Sequence, residues 1–339
     1  MNIRLGKDIL QEDLEVIANA DFLPWNALKN AAILITGATG LVGYTLVSGL
    51  LYANEMRHLN LKVIALVRDE KKAEKRFEKT QGKDALQFVV GTVENLPEIK
   101  ETIDYIVHGA SQTASKAFIE EPVETIRTAV KGTANLLALA RQKSARGFTY
   151  LSSMEVYGHP QKGHKVRENE IGALTPLDLR NSYPVSKVQS ESLVCAYAKE
   201  YGIHANIIRL TQTFGPGAHG DDNRIFAYFA RCVMEKQSIV LRTNGETERS
   251  YLYTADATTA ILAVLLNGVP AQAYNAADET TYCSIADMAH MVAETYGLAV
   301  TFDLQDEKKL GYPAPLYMDL DTTLLKRLGW RPFREGNVS

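Results

Sequence analysis

Cysteine is scarce in this 339-residue chain: Cys195, Cys232 and Cys283 stand far apart and are odd in number. That argues against a disulfide framework and favours a reducing compartment. No apolar run reaches the roughly 20 residues that a bilayer-spanning helix needs. The N-terminal MNIRLGKDILQEDLEVI is amphipathic and acidic, without the apolar segment of a secretory signal, so a cytoplasmic protein is expected. An excess of one charge is missing too. Lys and Arg number 37 against 40 Asp and Glu, a formal charge of −3, which gives no reason to expect nucleic acid or an anionic membrane as partner. The seven histidines show no metal-ligand spacing, and His159 and His164 share a loop without supporting cysteines or carboxylates, so no metal is expected. Internal repeats and low-complexity tracts are absent. What is left is an ordinary globular composition, 46% hydrophobic and 23% charged, long enough for one large domain and a smaller lobe.

Residues 1–30 form an extension ahead of the first strand. Ile9, Leu10, Leu14 and Ile17 recur at helical spacing, Asp8 is placed to cap them, and Pro24-Trp25 turn the chain. It should pack against the body or a partner subunit. Next comes AAILITGATGLVG, a short strand (Ile33–Ile35) running into Gly37-x-x-Gly40-x-x-Gly43 and then a helix. Glycines there let the backbone turn tightly and approach a pyrophosphate, while the helix start, with Thr39, Leu41 and Val42, offers N–H groups and a positive dipole end. A strand at Val63–Val67 follows. It should end on an acid if the adenosine ribose carries free hydroxyls; Val67-Arg68 stands there instead, with Asp69 a residue or two late. Arginine can pair with a 2′-phosphate, so NADP stays open beside NAD.

The alternation continues with a helical stretch (Asp69–Lys79), a strand (Leu86–Val90) that puts Thr92 and Val93 near the adenine, and a strand (Tyr105–Val107) ending on His108-Gly109-Ala110-Ser111. Small residues at a strand's C-terminal end let a dinucleotide lie across the sheet. A long helix (Val123–Gln142) precedes the strand Phe148–Leu151. The pattern predicts an α/β fold: a doubly wound parallel sheet of Rossmann type over residues 31–214, with a smaller, loop-rich substrate lobe over 215–339 that returns briefly to the sheet.

Two stretches carry acid–base chemistry. FTYLSSMEVYG stops a buried strand on Ser152, Ser153 and Glu155, and NSYPVSK sets Tyr183 and Lys187 four residues apart. At about 3.6 residues per turn that spacing puts both side chains on one helix face. By itself the pair also suits an ordinary half-exposed helix. Beside a dinucleotide turn it reads as a proton-transfer site: an ammonium favours the phenolate and lowers a phenol pKa of about 10, and Ser153 can hydrogen-bond the same substrate oxygen. Such a site suits alcohol oxidation or ketone reduction if a hydride carrier lies beside it.

The ordered motifs TGATGLVG, HGAS, KGTANLL, SSMEVYG, Tyr183-x-x-x-Lys187, TFGPG, RSYLYTADA and YNAAD, from about Ala31 to Trp330, resemble an extended short-chain dehydrogenase/reductase. Within it they are similar to the nucleotide-sugar epimerases, dehydratases and decarboxylases. The resemblance implies a bound NAD(P) that oxidises the sugar at C4 and later returns the hydride. It implies Tyr183 as base, Lys187 lowering its pKa and holding the nicotinamide ribose, Ser153 orienting the C4 oxygen, and Arg249 meeting the pyrophosphate of a sugar nucleotide. Gln212, Asn223 and Arg224 would line the same pocket, and helices Val123–Gln142 and Tyr183–Glu200 would form a homodimer interface.

Around Glu155 the resemblance narrows. Dehydratases carry Thr-Asp-Glu, the Asp protonating the departing hydroxyl and the Glu removing the C5 proton; here Met154 replaces the acid, and a thioether donates no proton. UDP-glucuronate decarboxylases carry Thr-Ser-Glu, and their 4-keto intermediate, a β-keto acid, loses CO2 without such an acid. TFGPGAHGDDNRIFAYFARCVMEKQSIVL is also most similar to theirs, although Gly217 replaces an arginine and Gln212 an asparagine. A decarboxylase is therefore expected, with 4-epimerase, 4,6-dehydratase and net keto-sugar reductase as alternatives. A dinucleotide-sensing protein on the same fold is a non-enzymatic one, against which Tyr183, Lys187 and Ser153 together argue.

Overall fold

The structure is a computed structural model that describes residues 9–113, 115–218, 222–304 and 315–333. In chain order, α1 (Ile9–Ala18) leads to β1 (Ala32–Thr36), α2 (Leu41–Arg57), β2 (Lys62–Val67), α3 (Glu70–Phe77), β3 (Leu86–Val90) and β4 (Tyr105–His108). Then follow α4 (Ser115–Glu120), α5 (Pro122–Gln142), β5 (Gly147–Ser153), β6 (Lys165–Val166), α6 (Ser182–Tyr201), β7 (Ala205–Leu210) and β8 (Gln212–Phe214). The rest comprises α7 (Ile225–Glu235), β9 (Ile239–Leu241), β10 (Glu248–Tyr253), α8 (Thr254–Asn267), β11 (Ala273–Ala276), β12 (Asp278–Ser284), α9 (Ile285–Tyr296), β13 (Val300–Phe302), β14 (Tyr317–Leu320) and α10 (Thr323–Arg327).

Seven strands form one sheet in the order β11-β7-β5-β4-β1-β2-β3, every neighbouring pair parallel. Apolar runs such as AILIT make this possible, because side chains alternate between faces and both faces are covered. Ile33, Ile35, Val63 and Ala65 pack with α1, α2 and α8. Leu34, Ile64, Ile106 and Phe148 pack with α5 and α6 on the other side. The strand order reverses between β1 and β4, which opens a crevice at their C-terminal ends. This is the doubly wound sheet expected.

The extension belongs to the body: Leu14 and Ile17 are buried against it, and Ile17 lies against Gly49 of α2. Asp8, its expected cap, lies outside the described residues. Beyond residue 214 the return to the sheet is larger than brief. It comprises β11 and the 14-residue α8, which is buried from Thr254 to Leu265. A second sheet, β12-β10-β14-β6 with β8 beside β10, takes strands from both halves of the chain. The helix within TYCSIADMAHMVAETYG starts at Ile285, directly after Ser284. The Ser284 Oγ accepts from Asp287 N at 2.9 Å and Asp287 Oδ2 accepts from Ser284 N at 3.1 Å, a capping box that fixes the boundary. Tyr282 and Cys283 upstream extend β12 instead. Among the described residues no helix is long and apolar enough to cross a membrane.

Candidate active site

β5 runs on to Ser153, whose Oγ accepts from Glu155 N at 3.2 Å and so caps the turn Met154–Tyr157. A hydroxyl accepts there while its proton stays free to donate. Across from it, Tyr183 sits in the first turn of α6, 7% exposed, with the Ser153 side chain near enough to its phenol to lower the phenol's proton affinity. Lys187 follows one turn later, buried, its Nζ donating to Leu151 O at 2.7 Å and lying 5.5 Å from the centre of the Tyr183 ring. Strand end and helix start thus bring Ser153, Tyr183 and Lys187 together.

Burial sets their proton affinities. The Tyr183 phenol is pushed above its ordinary range, first by burial and then by the Glu155 carboxylate, against the pull of Ser153 and Arg180. Burial pulls the Lys187 amine down to about 7, while Glu191 raises it. The expected lowering of the phenol by the Lys187 ammonium is therefore not met. Desolvation penalises both charged forms, and the side-chain charges that reach the phenol are those of Glu155 and Arg180.

Sequence reasoning overlooked several side chains here. Glu155 Oε2 accepts from Arg180 Nη1 at 3.1 Å, so the carboxylate is paired. The Arg180 guanidinium lies over Phe118, and the Phe118 ring stacks on Tyr183 at 4.4 Å and 3°. One turn beyond Lys187, Glu191 accepts from Ser152 Oγ at 2.6 Å and from both Nε and Nη2 of Arg209, at 2.9 and 2.6 Å. Arg209 Nη1 also donates to Tyr157 Oη at 2.8 Å, and that hydroxyl donates to Asn275 Oδ1 at 2.6 Å. A single arginine inside the apolar run of β7 was the one available signal.

The glycine turn lies at the reversal point. Gly37 has φ +73°, and a Cβ on it would come within 2.7 Å of Gly109 C. A Cβ on Gly43 would meet Gly37 O at 2.1 Å. Both glycines are therefore required by the protein's own packing. Gly40 differs: its Cβ would meet only Gly37 O, at 3.3 Å, and otherwise faces open space. Behind it α2 begins at Leu41, Val42 and Gly43 without a side-chain cap. Room for a phosphate in front of free helix N–H groups is what a dinucleotide requires, so these residues fit one. Thr39 shares the turn. On the neighbouring strand end, Gly109 N and Ala110 N donate to Thr36 O and Thr36 Oγ1, both at 3.1 Å, which pins Gly109-Ala110-Ser111 beside the turn.

Several of the other candidate residues are engaged within the protein itself. The Val93 side chain is buried against Gly132, and its carbonyl accepts from Asn135 Nδ2 at 2.9 Å, so little of it is left to meet an adenine. Thr92 next to it caps a turn by accepting from Asn95 N at 3.2 Å. Arg224 is engaged within its own loop, with Nη2 and Nε on the Asp222 carboxylate and Nη1 on Thr213 O at 3.2 Å. Its neighbour Asn223 is exposed. Arg249 on β10 lies beside Gln212 on β8, with Nη1 3.5 Å from Gln212 Oε1, and its buried Nε has no hydrogen-bond partner. Arg68 is exposed just past β2, while Asp69 caps α3 by accepting from Lys72 N at 3.1 Å.

The model of the NAD dependent epimerase/dehydratase family matches residues 33–277, from the first strand through β11. The chain belongs to this family. Similar curated members include UDP-glucuronic acid decarboxylase 1 of Xenopus tropicalis, 28% identical over 68% of this chain and 53% of that one. UDP-glucuronic acid decarboxylase 5 of Arabidopsis thaliana is 28% identical over 91% of this chain and 87% of that one. The chain thus spans about half the length of the first and most of the second. Among solved structures, a dTDP-glucose 4,6-dehydratase from Streptomyces venezuelae with NAD bound superposes with a TM-score of 0.73 at 23% identity, covering 91% of this chain and 92% of that one. A UDP-glucuronic acid 4-epimerase from Bacillus cereus in complex with NAD gives 0.73 at 19%, covering 89% and 94%. These two likenesses establish the shared fold.

Proposed function

We propose that this protein is a nicotinamide-dependent nucleotide-sugar enzyme that oxidises its sugar at C4 and releases CO2 from a uronate. The observation that carries the reading is the meeting of Ser153, Tyr183 and Lys187 at the strand end next to the glycine turn. Gly37, Gly40, Gly43 and the start of α2 would hold the pyrophosphate, with Gly109, Ala110 and Ser111 alongside. The bound group supplies a hydride acceptor and, when oxidised, a positive charge that favours the phenolate. Tyr183 takes the proton of the C4 hydroxyl, Ser153 orients that oxygen, and Lys187 holds the ribose. A 4-keto uronate is a β-keto acid: the C5–C6 bond breaks, CO2 leaves, the electron pair is held as the enolate of the 4-keto group, and a proton from water is added at C5. Tyr183 returns its proton to the C4 oxygen when C4 is reduced again.

Met154 separates this reading from dehydration. Its thioether is buried and accepts from Thr211 Oγ1 at 3.3 Å, so nothing at that position protonates a departing hydroxyl. Residues 31–214 serve the dinucleotide and 215–339 the sugar nucleotide, with Arg249, whose Nε awaits a partner, on the diphosphate and Gln212 beside it. Arg68, with Asp69 engaged as a cap, leaves both NAD and NADP compatible with the ribose site; mass analysis of the dinucleotide that copurifies decides between them. The exposed Val123 and Ile126 of α5 fit a homodimer through α5 and α6, to be checked by analytical ultracentrifugation.

Incubation with UDP-glucuronate and mass analysis of the product tests the reaction. Loss of CO2 is expected. Loss of water, an unchanged mass with altered stereochemistry, or stoichiometric consumption of NADPH would replace the reading by dehydratase, epimerase or reductase respectively.

A further inference from the structure

Arg180 has no part in the mechanism above, yet its surroundings are specific. It stands three residues before Tyr183 in a short turn, where Asp178 Oδ1 accepts from its backbone N at 2.9 Å. Its side chain is 35% exposed. One nitrogen, Nη1, meets Glu155 Oε2 at 3.1 Å, and the guanidinium plane rests over Phe118, which stacks on Tyr183. A guanidinium carries five N–H donors in a fixed fork. Pairing through one of them leaves the rest of a half-open cation beside the phenol.

We propose that Arg180 receives the C6 carboxylate of the sugar and makes the site selective for nucleotide-linked uronates over neutral hexoses. This rests on Tyr183 being the base at C4. The carboxyl carbon of a hexuronate is bonded to C5, the direct neighbour of C4, so the carboxylate comes to rest beside whatever grips O4. The other cations near the site are differently placed. Lys187 is buried beneath the ring and bound to Leu151 O, and Arg249 stands on β10 next to Gln212. Glu155 holds the Arg180 fork in place and also opposes a second carboxylate on it. The grip therefore falls on the group that leaves: a decarboxylated pentose presents nothing for Arg180 to bind.

Binding is measured by calorimetry on the dinucleotide-loaded protein in a Tyr183→Phe background, which prevents turnover. The ligands are UDP-glucuronate, UDP-glucose and UDP-xylose. The parent should bind the uronate more tightly than UDP-glucose. Arg180→Gln should weaken the uronate by about 10- to 100-fold, the range for losing a charge-assisted pair, and shift the other two by less than about 3-fold. Arg180→Lys, which keeps the charge without the fork, should fall between. Glu155→Gln should retain or enlarge the preference for the uronate, because a competing carboxylate is gone. A parent that does not prefer the uronate would overturn the proposal, as would equal losses for all three ligands in Arg180→Gln or a preference that collapses in Glu155→Gln. In those cases C4 oxidation itself is untouched, since reduced dinucleotide still forms in the Tyr183 protein with sugar nucleotide added. If no sugar nucleotide binds the parent at all, the reading of the site fails first.

Discussion

Tyr183 and Lys187 are held in a place that favours the uncharged form of each. Removing the phenol oxygen tests whether that proton matters. Tyr183→Phe keeps the ring stacked on Phe118, so dinucleotide affinity should change by less than about 3-fold while turnover falls at least about 100-fold, the lower range for general acid–base catalysis. Steady-state rates and cofactor titration separate the two. His108, next door, gives a stability prediction. Burial, followed by the nearby Lys187, pulls its imidazole down to about 3, and the neutral ring is fixed between Thr36 Oγ1 at 2.8 Å and Thr133 Oγ1 at 3.2 Å. Between about pH 6.5 and 3 the unfolded chain takes up a proton there that the folded chain refuses. Its share of stability is present above the ordinary value and is lost as pH falls through this window, on the order of a few kcal/mol. Urea melts at pH 7 and pH 4 should show the drop, and His108→Gln should make it shallower. At this scale the sequence announced Tyr183, Lys187 and Ser153, because their spacing along one helix and one strand is local. It named Glu155 but was silent on Arg180 and on their pairing, because the two are 25 residues apart and meet only when the loop folds back onto the turn.

Among the elements, the junction of β1 with α2 separates two duties that one glycine motif combines. A methyl group at Gly43 has no room, 2.1 Å from a backbone oxygen, so Gly43→Ala should lower the melting temperature and abolish dinucleotide binding together. At Gly40 the backbone has φ −72°, open to alanine, and the added carbon would project where a phosphate lies. Gly40→Ala should therefore leave the melting temperature within about 3 °C and weaken the dinucleotide by at least about 10-fold. Differential scanning calorimetry and a fluorescence titration read the two effects. The motif and its strand–helix setting were legible because apolar periodicity and glycine spacing are local signals. The two-residue β6, which pairs with Asp319 and Leu320, was not, since no period can be read from two residues whose partners lie over 150 positions away. The end of β12 at Tyr282 and Cys283 was not legible for a similar reason: Tyr and Cys fit either state until Ser284 and Asp287 close their box.

Over the whole molecule, the Arg209–Glu191 pair joins the parts. It links α6, carrying Lys187, to β7, and through Tyr157 and Asn275 it reaches β11 and β6, where Asn275 Nδ2 donates to Val166 O at 3.0 Å. Both side chains are almost fully covered, so deleting one partner strands the other's charge. Arg209→Ala should destabilise the fold by about 3–5 kcal/mol, measured by chemical denaturation, whereas an apolar replacement of both partners should be far milder. Composition told the class of protein correctly, and alternation told the sheet. Neither could tell that a helix as late as α8 would be the most enclosed one, because burial on every side depends on what is laid over it from elsewhere in the chain.

The seventh strand of the sheet has a further consequence. β11 is the last of the seven to leave the ribosome and supplies β7 with its only neighbour on that side. Until residue 276 has emerged, a nascent chain already holding the glycine turn and the Tyr183 helix carries a raw β edge of apolar ANIIRL. That interval is when self-association threatens during synthesis, and slow translation or chaperone capture between residues 210 and 276 would bear on yield far more than on the properties of the finished protein.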